Sequence, residues 1–127
     1  MQGKHLYEYA VVRLVPKVER EEFMNVGLIL FSKRVGFIKM LYEVDKEKLK
    51  VFSPDTDLDE VYSNLEAFEK ICLGVEDGGA IARLDVPERF RWLTAMKSSC
   101  IQTSRPHPGF SDDLEKTTRL LFEELVL

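Results

Sequence analysis

The sequence predicts one α+β domain: an antiparallel sheet built from an N-terminal meander and covered by two or three helices. Three observations lead there. The first third of the chain is rich in β-branched and aromatic residues. After "FSPDTD" the apolar period changes from two to 3.6. The 127 residues, 45% hydrophobic and 31% charged, suit one modest core, with no repeat and no linker long enough to divide it.

Taken in order, "LYEYAVVRLV" (6–15) reads as a strand ended by Pro16, with Tyr7, Tyr9, Val11, Arg13 and Val15 on one face. Leu6, Glu8, Ala10, Val12 and Leu14 fall on the other, so both faces carry apolar groups and a central position follows. "MNVGLILFS" (24–32) is a nearly continuous apolar run, and "KRVG" turns the chain into "FIKMLYEV" (37–44), completing the meander. Leu58, Val61, Tyr62, Leu65, Phe68 and Cys72 share one face of a helix, with Asp55 or Asp57 as cap and Gly74 at its end. "VEDGGA" is a loop, "AIARLDV" a short edge strand, and "PERFRWLTAM" a helix opened by proline with Trp92 in the core. Residues 112–126 form a last amphipathic helix through Leu114, Leu121, Phe122 and Leu125, capped by Ser111, Asp112 or Asp113. This helix and the one at 58–73 are expected to cover one face of the sheet.

A net charge of −4 argues against general nucleic-acid binding. Cys72 and Cys100 match no zinc spacing and nothing resembles a signal peptide, so a cytoplasmic protein with reduced thiols is expected. No apolar run approaches the ~20 residues of a membrane span. No cofactor motif and no metal-ligand spacing occurs, so neither group is expected.

Two blocks carry polar residues that a core alone does not require. In the first, Arg13 and Arg20 flank a proline turn, and Asn25 and Gly27 interrupt an apolar strand, where glycine marks a bulge or a close backbone approach. The second, "SSCIQTSRPHPGFSDD" (98–113), sets His107 between two prolines that hold Arg105 and His107 out of helix geometry. It reads either as a turn and cap for the last helix or as part of a site. Ser98 and Ser99 lack a nucleophile elbow, and no complete nucleophile, base and oxyanion set is legible.

Arg13, Pro16, Glu22, Phe23, Asn25, Val26 and Gly27, followed by Leu93, Thr94, Ala95, Ser98, Gln102, Ser104, His107, Gly109, Asp112 and Asp113, resemble the bacterial family called domain of unknown function 3037. The resemblance spans roughly 6–126, with Met96 where that pattern has proline. It implies no activity. It does imply a genomic neighbourhood shared with HipA-like kinases, and hence an accessory or binding role with such a kinase as partner. Together the two blocks are expected to build one anion-accepting cleft from Arg13, Arg20, Asn25, Gln102, Ser104, His107 and Asp112, suited to a phosphate or carboxylate. The alternative is a small enzyme acting on a phosphate-containing or nucleotide substrate through His107 and the arginines.

Overall fold

Strand β1, His5–Leu14, is the hub of the sheet. The computed structural model describes residues 4–95 and 99–127. On one side β1 pairs antiparallel with β2, Met24–Ser32, which pairs with β3, Phe37–Tyr42, so the meander is as expected. The third strand stops at Tyr42, two residues early, although Glu43 N still donates to Val26 O at 2.8 Å. Along the other side of β1 run two further strands, β4, Ile101–Thr103, and β5, His107–Ser111, end to end and antiparallel to it.

Within "SSCIQTSRPHPGFSDD", residues 101–103 and 107–111 are therefore sheet, where a turn was the simpler expectation, and its last residue, Asp113, is the cap of the final helix. Its prolines mask the strand signal, yet proline is tolerated on an edge strand. Between the two short strands, Ser104 to Pro106 oppose only Ala10 and Val11, so the pairing takes in one extra residue, as in a bulge. Ser104 keeps the ladder continuous there: its N–H donates to Val11 O at 2.8 Å, and its Oγ accepts from Val11 N at 2.9 Å.

Four α-helices complete the described residues. Helix α1, Lys46–Phe52, was not anticipated; Asp45 caps it and Leu49 is its one buried residue. Helix α2, Leu58–Leu73, begins at the Asp57 cap and ends at Gly74, whose φ of 67° needs a residue without a Cβ. Helix α3, Val86–Thr94, has Asp85 as cap and Pro87 in its first turn. The expected edge strand before it is instead a 3-10 turn, Ile81–Arg83, which buries Ala82 in the core cluster shared with α2 and α3. Helix α4, Leu114–Leu125, is capped by Asp113, whose carboxylate accepts from Lys116 N. Ser111 and Asp112 precede that cap, Ser111 Oγ accepting from Asp113 N.

Residues opposite each other in a ladder share a face, and this sorts the core into two layers. Ala10, Val12, Leu14, Val26, Ile29, Phe31 and Met40 pack against Val61, Leu65 and Phe68 of α2 and Phe90 and Leu93 of α3, with the Phe31 and Phe90 rings stacked at 4.7 Å. Val11, Leu28 and Leu30 point the other way and are covered by α4, which packs on β1, β2 and β3. Helices α2 and α4 thus lie on opposite faces. The expectation that both cover one face fails because Leu28 and Leu30, each 0% exposed, demand a cover of their own, a burial worth about 1.5–3 kcal/mol per side chain. Trp92, expected in the core, lies on the outer side of α3 and is 39% exposed. Cys72 and Cys100 are both free thiols.

Candidate functional site

The bulge in β2 sets up the candidate site. The register slips between Val12 and Arg13, and Gly27 sits at that point because a Cβ there would lie 2.9 Å from Leu41 O and 3.2 Å from Val12 Cβ. Past the slip, Asn25 stands directly opposite Arg13, and on the other side of β1 Gln102 stands opposite Arg13 as well. Asn25, Arg13 and Gln102 form one polar row across β2, β1 and β4, on the face that α4 covers.

Each member of the row is held. The Arg13 guanidinium lies 4.0 Å from the centre of the Phe23 ring, a cation–π contact that fixes its plane. Asn25 Nδ2 donates to Leu125 O at the end of α4 at 3.1 Å, and Gln102 Nε2 donates to Ser99 O at 3.0 Å. Two buried atoms of the row remain unused. Arg13 Nε and Asn25 Oδ1 are buried with no hydrogen-bond partner among the described residues, one a donor and the other an acceptor. Buried polar atoms without partners are uncommon in native proteins, and each calls for an account.

The other expected site residues fall elsewhere. His107 faces Tyr9 across the β1–β5 ladder with ring centroids 5.3 Å apart. Tyr9 is four residues from Arg13 on the same face, or ~13 Å along the strand, so His107 does not converge with Arg13 and Asn25 in one cleft. Ser104 is absorbed by the β1 ladder. Arg20 is exposed and paired with Glu22 at 2.6 Å, on the rim of a shallow cavity of about 250 Å³ bounded by Pro16, Phe52 and Asp55. Asp112 is exposed before α4. Ser98 and Met96 lie outside the described residues.

Residues missed from sequence are Phe23, which orients Arg13, and Leu125, whose carbonyl holds Asn25. The motif that carries the family resemblance contains Phe23, so a signal was present for it. Nothing local marks Leu125, a hundred residues away from Asn25.

Among the described residues no cluster of His, Cys, Asp and Glu could hold a metal ion, and no helix is long and apolar enough to cross a membrane. A family model described as "Protein of unknown function (DUF3037)" matches residues 9–126. No curated protein and no solved structure matches the chain.

Proposed function

Because the chain belongs to the DUF3037 family, for which no activity is described, we propose from its own geometry that it is a small cytoplasmic binding module whose polar row accepts a carboxylate or phosphate. The observation that carries this reading is the pair of buried, unpartnered atoms, Arg13 Nε and Asn25 Oδ1, on directly opposed residues. An anion oxygen satisfies the donor, and a hydroxyl or amide N–H on the same ligand satisfies the acceptor.

The charge balance at the row is mixed. The Arg13 guanidinium carries a full positive charge, opposed by the negative end of the α4 dipole beside Asn25 and by Glu123 and Glu124 in that helix's last turn. A ligand that also donates a hydrogen bond to Asn25 Oδ1 is therefore favoured over a bare anion. The enzyme alternative has less support, since His107 lies ~13 Å along β1 from Arg13, too far to act on a group held there. Two free thiols fit a reducing compartment. A HipA-like kinase, suggested by the family's genomic neighbourhood, is the protein partner to try first.

The test is an NMR titration of the full chain with inorganic phosphate and with acetate, alongside co-purification with the products of adjacent genes. Shifts at the Arg13 Nε–H and Asn25 side-chain signals, abolished in Arg13→Gln, are expected. Saturation without any change at those signals, or turnover of a phosphoester by the purified chain, would overturn the reading.

A further inference from the structure

The two edges of the sheet are treated differently. On the β5 edge, Pro108 has no N–H, so the ladder to β1 runs through His107, Gly109 and Ser111. Pro108 and Phe110 then face outward, and Pro108 offers no donor. With Pro106 removing another donor in the adjoining bulge, the β5 stretch of that edge is a poor template for a further strand.

On the other edge, β3 pairs with β2 alone among the described residues. Glu43 N donates inward to Val26 O, which fixes the alternation: 37, 39, 41 and 43 bond to β2, and Ile38, Met40 and Tyr42 turn their N–H and C=O groups outward. No proline or bulge protects them. Helix α2 stands on one side of this edge and α4 on the other. Between them a groove of about 380 Å³ runs along Phe37–Leu41, walled by Glu69, Cys72 and Leu73 of α2 and Glu115 of α4. Leu73 is 67% exposed there.

We infer that the open β3 edge is a docking slot for an extended segment of a partner protein, carrying apolar side chains at alternate positions and a lysine or arginine opposite Glu69. The outward groups of Ile38, Met40 and Tyr42 supply the main-chain bonds, as when a peptide adds a strand to a sheet edge. Charge selects the occupant. Among the described residues the one cation lining the groove, Lys39, is held by Glu115 at 2.7 Å, so the Glu69 carboxylate is left with a hydroxyl, that of Tyr42 at 3.4 Å. A second copy of this chain is a poorer occupant: two-fold pairing of β3 with β3 sets the two α2 rims on the same face, Glu69 towards Glu69, in a protein already at −4.

The test is selection of random displayed peptides of about ten residues, the upper length of an ordinary strand, on the immobilised full chain. Proline-free sequences with alternating apolar residues and a lysine or arginine should be enriched. Adding one of them should slow amide exchange at Ile38, Met40 and Tyr42 while leaving 39 and 41 unchanged. Ile38→Pro, which copies the Pro106 and Pro108 device onto this edge, and Leu73→Asp, on an exposed wall, should each weaken binding at least tenfold. Leu73→Asp keeps the test decisive if Ile38→Pro fails to fold, and Arg13→Gln should bind the peptide normally. No enrichment, binding indifferent to Leu73→Asp, or protection of the same three amides through self-association as concentration rises would each overturn the inference.

Discussion

Asn25 and Leu125, a hundred residues apart, are joined by a hydrogen bond of 3.1 Å from the Asn25 amide to the last carbonyl of α4. The side chain that contributes an unused acceptor to the polar row is also the clamp on the helix that covers it. Asn25→Ala should cost about 1 kcal/mol in urea unfolding, the net worth of one such bond. Amide exchange should quicken at Val126 and Leu127 and stay unchanged at Lys116 and Thr117, in the first turn.

Ser104 holds β1 at the point where β4 gives way to β5. With Ser104→Ala the buried Val11 N–H loses its acceptor, and an unsatisfied buried donor costs about 1–3 kcal/mol. Chemical denaturation should show that loss, with the Val11 amide the most altered signal in β1.

Gly109 lies directly under the Tyr7 ring, where an added Cβ would come within 2.5 Å of Tyr7 Cζ. Gly109→Ala should therefore destabilise the wild type by about 1 kcal/mol, at the low end of the usual ~1–3 kcal/mol for overpacking because the half-buried Tyr7 ring can give way. In a Tyr7→Ala background the same change should cost less than half as much. A double-mutant cycle that finds the two substitutions additive would place Gly109 outside the contact.

Burial pushes the Cys72 thiol up to about 12 from 9.0, against a smaller opposing pull from Arg89. Its folded value is raised, so the folded state holds the proton more tightly, and the stability it contributes is complete below pH 9 and lost progressively between 9 and about 12. Tyr42, raised first by burial and then by Glu69, and Tyr7, raised by burial and then by Tyr9, add to the fall above pH 10. Cys72→Ala should flatten the stability profile above pH 9. In the native protein at pH 8, alkylation of Cys72 by iodoacetamide should be at least tenfold slower than in the unfolded chain, because burial both holds the proton on the thiol and shields the sulfur.

Periodicity made the meander and α2 readable, because Tyr9, Val11 and Arg13, like Val61, Leu65 and Phe68, repeat at the spacing of a single element. Gly27 also announced its bulge. Strands β4 and β5 were hidden because three or five residues are too few to show alternation, and because Pro106 and Pro108 argue against a strand unless its edge position is already known. For the site, the Arg13 and Asn25 opposition was half visible, since both lie at the bulged end of adjacent strands. The distance from His107 to Arg13 was not, because it depends on which stretch of β1 each half of residues 101–111 chooses.

β1 draws one neighbour from the next hairpin and the other from residues 101–111, and this sets a timetable for biosynthesis. At about 5–20 residues per second, β5 follows β1 out of the ribosome by roughly 5–20 s. Through that interval β1 can pair with β2 while its other edge stays bare, and the main-chain groups of Tyr7, Tyr9 and Val11 stand open to foreign strands. Prolines in the late-arriving segment guard the completed sheet, and cannot guard it before they exist.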